Sequence, residues 1–259
     1  MLKQILLITD GCSNVGIDPC AAAAHAASEQ ITVNVVGIVD DGSLGEHGAS
    51  EIQEIARAGG GMSRIVTARQ LSQTVQMVTR RAVTHTLHQV VQNELKHILN
   101  QDRVKDFGVN DVHGGTMLEE LPPGQRAEVV GVIDEMGESS YLKVALLIDA
   151  SASMRSKLEA VKESIYDLML SLQARKGKSE ISVFHFPEKK ADSKMDLDWT
   201  ADLSQTERLF RKLTMGGTTP TGPAIMDVIE HIMRSKKQMG EAYADEPSRR
   251  QWLAGRELR

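Results

Sequence analysis

Two aliphatic runs, QILLITDG at 4–11 and LKVALLIDAS at 142–151, proceed without polar alternation, and each closes on an aspartate. An unbroken apolar run marks a strand covered on both faces, because alternate side chains then meet a helix layer on either side. Both are therefore expected to be central strands of a parallel sheet. ITVNVVGIV at 31–39, EISVFHF at 180–186 and the weaker RIVTA at 64–68 are short and rich in β-branched residues, and KMDLDWT at 194–200 suits an edge strand.

Between these runs the apolar spacing becomes helical. AAAAHAASEQ follows Pro19, ASEIQEIARAGGG ends in glycines, and TGPAIMDVIEHIMRSKK has Pro223 in its first turn. SKLEAVKESIYDLMLSLQARKGK keeps Leu158, Val161, Ile165, Leu168 and Leu172 on one stripe. Strand and helix alternating at this spacing predict an α/β fold, a doubly wound, mostly parallel sheet with helices on both faces. The rhythm breaks at residues 84–140, where the long amphipathic pattern QLSQTVQMVTRRAVTHTLHQVVQNELKHILNQ and the proline-started PPGQRAEVVGVIDEM predict an inserted helical segment. From Lys236 onward the chain is polar, with Trp252 and Leu253 its strong apolar pair, and residues 237–259 are read as a loosely held tail.

A chain of 259 residues suffices for one sizeable core. The net charge of −5 argues against a surface that tracks phosphates, so nucleic acid is not an expected partner. Asp10 interrupts the first apolar run too early for a secretory segment or a membrane span, which points to a cytoplasmic chain without a membrane partner. Cys12 and Cys20 are too few for a disulfide framework and lack the CxxC pairing of a zinc knuckle, and are read as reduced thiols.

The candidate chemistry lies at the ends of the apolar runs. In DASAS, Asp149, Ser151 and Ser153 recur at every second position just past a buried strand, where doubly wound sheets form their binding crevice. One carboxylate and two hydroxyls are oxygen donors suited to a hard cation such as Mg²⁺, which takes six near-octahedral oxygens. GGTTPTGPAI at 216–225 offers a threonine before a helix start, with glycines that let backbone approach closely, and LLITDG offers Asp10. DxSxS alone would be explained as well by an aspartate capping the next helix. Three such elements at strand ends point to a metal site.

Together the DxSxSM, GGTxPxGxAI and LLITDG elements resemble the metal-ion-dependent adhesion site of von Willebrand factor type A domains, over about residues 1–82 and 142–236. The resemblance implies Asp149, Ser151, Ser153, Thr219 and Asp10 as metal ligands, with Thr218 the fallback for Thr219, and Gly217, Thr218 and Gly11 placed to meet an incoming ligand. It implies Mg²⁺, with Mn²⁺ or Ca²⁺ as alternatives, and recognition of a partner protein presenting an Asp or Glu side chain, without turnover. In the usual family order the aspartate strand comes last, whereas here it opens the chain. That order implies a circular permutation, with 1–83 the C-terminal half of the domain, 84–140 an insert and 141–236 the N-terminal half. The halves are expected to close on each other within one chain, a swapped homodimer being the alternative.

A different class of function is a Mg²⁺-dependent phosphohydrolase using Asp149 as phosphoryl acceptor. An enzyme of the haloacid dehalogenase type would need a second carboxylate where Ser151 stands, and VDDG at 39–42 resembles its acidic motif only superficially. His85 and His88, at i and i+3, have no convergent carboxylate and are read as helix surface, while His25 and His185 are expected in the core. AGGGMS at 58–63 lacks the Lys-Ser/Thr of a phosphate loop and is read as a helix stop. The basic residues of SMRSKLEAVKESI, near the metal loop, are read as an ordinary solvated face, the alternative being that they help attract an acidic ligand.

Overall fold

The computed structural model describes residues 1–11, 13–39, 46–106, 122–209 and 216–244. Six strands form one sheet: β1 (Leu2–Thr9), β2 (Thr32–Val39), β3 (Gly60–Thr67), β4 (Leu142–Asp149), β5 (Ser179–Phe186) and β6 (Lys194–Thr200). Their spatial order is β3-β2-β1-β4-β5-β6, parallel throughout except for β6, which runs antiparallel to β5 at one edge. The helices are α1 (Pro19–Ser28), α2 (Glu46–Ala58), α3 (Leu71–Asp106), α4 (Pro123–Ser139), α5 (Leu158–Gln173) and α6 (Thr221–Ala244).

The two continuous apolar runs are the central pair, and both of their faces are sealed. Leu6 and Ile8 of β1 and Leu146 and Ile148 of β4 join one core with α3, α4 and α5. The alternate residues Ile5, Leu7, Ala145 and Leu147 join a second core with α1, α2 and α6. Burial of both alternating sets is why these strands tolerate no polar periodicity. From β1 the chain winds outward through β2 to β3, and from β4 it winds the other way through β5 to β6. The reversal between β1 and β4 makes their carboxyl ends a topological switch point, the crevice where open α/β sheets bind ligands.

Residues 1–83 and 141–236 each supply three strands to this one sheet, and β1 pairs with β4 within a single chain. The line expected at residue 84 falls inside α3, a helix of 36 residues that begins at Leu71. Leu71, Val75, Val78, Val83 and Leu87 of α3, with Ile133 of α4, are buried in the same core as β1 and β4. The base of the helical segment is thus part of the domain's packing. Helix α6 runs past the expected end at 236 to Ala244, and the remainder of the tail lies outside the described residues, as do Cys12, residues 40–45 and residues 107–121.

The glycines expected to stop α2 also open β3. A side chain at Gly61 would put its Cβ 2.1 Å from the Val33 carbonyl, so the edge strand's close approach requires glycine there. His25 is exposed rather than in the core, because it falls on the outer side of α1, whose buried residues are Pro19, Ala22, Ala23 and Ala26. His185 is buried, with Nδ1 2.6 Å from Asp196 Oδ2. Among the described residues no helix is long and apolar enough to cross a membrane.

Candidate metal centre

Strand β4 ends at Asp149, whose side chain is wholly buried. Its Oδ2 accepts a hydrogen bond from the Thr9 hydroxyl at 2.6 Å, and its Oδ1 accepts the backbone N–H of Ser151 at 2.8 Å. Ser151 is extended, and the chain then curls into a 3-10 turn over Ala152–Ser156. That change of backbone sets the hydroxyls of Ser151 and Ser153 3.0 Å apart. Ser153 in turn donates to Asp10 Oδ1 at 2.8 Å, just past the end of β1.

The loop before α6 is fastened to both strand ends. Gly216 bridges to Ser151, its N–H donating to the Ala150 carbonyl at 3.2 Å while its carbonyl accepts from Ala152 N–H at 2.9 Å. Three residues on, the Thr219 N–H donates to Asn14 Oδ1 at 2.8 Å, and the Thr219 carbonyl accepts from the Asn14 N–H and the Ser13 hydroxyl, each at 3.2 Å. Gly222, in the first turn of α6, lies so close to the same loop that a Cβ there would sit 2.1 Å from the Ile17 carbonyl.

Asp149, Ser151, Ser153 and Asp10 therefore form one connected set, and buried Thr219 lies in a loop tied to both of its halves. Thr218 and Gly217 are exposed at the rim and Gly11 is half-buried. The close approach expected at the paired glycines belongs to Gly216, which faces Pro187; a Cβ at Gly217 or Gly11 would meet nothing within 4 Å.

Three residues of the site escaped the sequence. Thr9 completes the buried strand pattern and carries no motif of its own, and Asn14 lies in a loop whose partner is 205 positions away. The third is Lys157. Read as a solvated helix residue, it is instead buried, with Nζ 2.6 Å from Asp10 Oδ2. It closes the 3-10 turn over Ala152–Ser156 and stands immediately before α5.

Residues 143–244 match the model of the von Willebrand factor type A domain. The chain is 46% identical over 245 residues to the protein YabS of Bacillus subtilis, covering 95% of each. A crystal structure of a protein from Alicyclobacillus acidocaldarius is 38% identical and superposes with a TM-score of 0.78, covering 92% of this chain and 96% of that one.

The chain belongs to the von Willebrand factor type A family.

The matched region of this von Willebrand factor type A chain holds Asp149, Ser151, Ser153 and Thr219, and the sheet delivers Asp10 to them from outside it, just past the end of β1. Burial pushes the Asp149 carboxyl above its ordinary range. Hydrogen bonds from Thr9 and Ser151 pull it partly back, and the charge of nearby Asp10 raises it further. Those donors are neutral, so a cation beside Asp149 would satisfy the charge that burial opposes.

The donor set fits a small hard cation. Two cis ligands of an octahedral ion bound at about 2.1 Å lie about 3.0 Å apart, and the two serine oxygens have that spacing, at 3.0 Å. Among the described residues no three His, Cys, Asp or Glu side chains are grouped so that they could hold a metal ion, so hydroxyls are needed to build any such shell.

Proposed function

We propose that this domain is a divalent-metal-dependent protein-binding module. In this reading Asp149, Ser151, Ser153, Thr219 and Asp10 hold Mg²⁺, and an Asp or Glu side chain of a partner protein completes the shell. The observation that carries it is the run of contacts from Asp149 through Ser151 and Ser153 to Asp10, whose last link joins residues 143 positions apart at 2.8 Å. A bound divalent ion would supply an electrophilic centre able to accept an outside oxygen. The chain's own residues position the hydroxyls, bury Asp149 from water and leave Gly217 and Thr218 exposed at the rim where a partner would arrive.

The chain order supports a permuted domain. Strand β1, which leads directly into Asp10, precedes the matched region in sequence yet pairs with β4 in register from Leu2 to Ile8. Joining the end of α6 to the start of β1 would restore the usual order, with the helical segment of α3 and α4 bridging the original termini.

Hydrolysis by Asp149 has less support. A phosphoaspartate enzyme would want a second carboxylate two positions after Asp149, where this chain has Ser151.

A pull-down from a bacterial lysate in Mg²⁺ against the same in EDTA tests the reading, with the Ser151→Ala/Ser153→Ala double variant as control. Capture that needs both Mg²⁺ and the serines is expected. Mg²⁺-dependent hydrolysis of an aryl phosphate, abolished by Asp149→Asn, would replace the binding reading with the enzymatic one.

A further inference from the structure

The turn that presents Ser153 ends at Lys157, and the lysine side chain folds back onto Asp10. The pair is almost sealed from solvent, with 6% of the Lys157 side chain and 2% of the Asp10 side chain exposed. Asp10 thus has both oxygens engaged: Oδ2 with the Lys157 ammonium at 2.6 Å and Oδ1 with Ser153 at 2.8 Å. Ser153 is itself 3.0 Å from Ser151, so the ammonium is separated from the paired hydroxyls by the width of one carboxylate. Burying a lysine forfeits its hydration, and an ordinary helix start would leave it in water.

The charge count shows what this placement does. Counting the proposed ligands and Lys157 alone, with both aspartates ionised, the two carboxylates and one ammonium sum to −1. A divalent cation takes it to +1, and a carboxylate from outside then takes it to zero. Without the ammonium the same steps would run from −2 through zero to −1, so the metal alone would be neutralised and the incoming carboxylate would be left in excess. Where water is excluded, the neutral state is the favoured one, because charge imbalance is weakly screened.

We infer that Lys157 is a built-in cation of the metal site, holding the divalent ion weakly by itself and tightly once an anionic ligand is bound, so that metal and carboxylate bind cooperatively. The inference rests on the metal reading above and adds a regulation of that site which the ligand set alone would not give. By linkage the coupling is reciprocal: the carboxylate binds better to the metal-loaded protein by the same factor.

The test is calorimetric titration of the full chain with Mn²⁺, alone and in the presence of acetate, for wild type, Lys157→Met, Lys157→Arg and Ser151→Ala/Ser153→Ala. Lys157→Met is expected to bind Mn²⁺ alone about ten-fold or more tightly than wild type, since a nearby positive charge has been removed. Acetate is expected to strengthen Mn²⁺ binding several-fold in wild type and in Lys157→Arg, and to leave Lys157→Met unchanged. If Lys157→Met fails to fold by circular dichroism, Lys157→Gln, which keeps a donor for Asp10, carries the same expectation. Equal or weaker Mn²⁺ binding by the neutral variants, or an acetate effect that survives in them, overturns the inference while leaving the metal site standing. Mn²⁺ binding that is absent from wild type with and without acetate, or undiminished in the double serine variant, overturns the metal reading itself.

Discussion

Thr9 donates its hydroxyl to Asp149 across the ends of adjacent strands, at 2.6 Å and 140 positions away in the chain. The bond joins the β1 half of the site to the β4 half and gives a buried carboxylate one of its donors. Thr9→Val keeps the shape and removes the donor, leaving that oxygen short of a partner. The expected loss is about 1–3 kcal/mol of stability, or a fall in Tm of several degrees for a chain of this size, at about 2–4 °C per kcal/mol. Thr9→Ser should recover most of it. Scanning calorimetry in EDTA checks both, and a Thr9→Val protein that melts with wild type would show that the bond contributes nothing.

The order of legibility follows the range of the interactions. The central strands could be read because burial on both faces leaves a local trace, as in ILLI of β1 and ALLI of β4. Asp149, Ser151 and Ser153 could be read because one turn sets their spacing, and Asp10 and Thr219 because each sits in a motif at a strand end or a helix start. Lys157 could not be read, because its destination depends on a 3-10 turn and on the carboxylate of Asp10 just past β1, 147 positions away. Asn14 was hidden for the same reason: a loop asparagine looks alike whether it faces water or holds the backbone of Thr219. The role of α3 was legible in its period but not in its depth, since only the sheet decides that Leu71 to Leu87 face the core.

Asp149→Asn tests the charge at the centre of the shell. The amide removes the carboxylate whose ionised form a cation would favour, while its carbonyl can still accept from Thr9. Mg²⁺ at millimolar concentration is expected to raise the Tm of the wild-type protein by mass action on the folded state. The variant is expected to show no Mg²⁺-dependent shift. Equal shifts in the two proteins would place the ion elsewhere.

Asn14 touches the backbone of Thr219 on both sides, through its side-chain oxygen at 2.8 Å and its backbone N–H at 3.2 Å. It would hold no metal itself, so Asn14→Ala separates positioning from ligation. Loss of such supporting contacts costs metal affinity about 10–100-fold, and a fall of that order in Mn²⁺ affinity is expected by calorimetric titration. Circular dichroism should remain that of the wild type. Thr219 keeps its carbonyl bonds to the Asn14 backbone and to Ser13, so complete loss of binding would mean that the whole loop, and not the threonine alone, had moved.

His231 of α6 packs edge-on to Phe184 of β5, with ring centroids 5.2 Å apart, and stacks on Trp199 of β6 at 5.6 Å. Its Nε2 lies 3.2 Å from Oδ1 of Asp198, whose own side chain is largely exposed. Burial lowers its pKa below the ordinary histidine value; Asp198 opposes that shift, and Lys143 and Arg234 reinforce it. Because the unfolded chain takes up a proton at higher pH than the folded one, the neutral ring's contribution is fully present above the ordinary histidine pKa. That contribution is lost as pH falls through the ordinary value toward the lowered one. Urea unfolding of wild type should show stability declining between about pH 7.5 and about pH 5.5, a window set around the ordinary value of about 6.5. In His231→Phe, which keeps the ring contacts and cannot be protonated, the decline should be shallower. Parallel curves for the two proteins would assign the pH dependence to other groups.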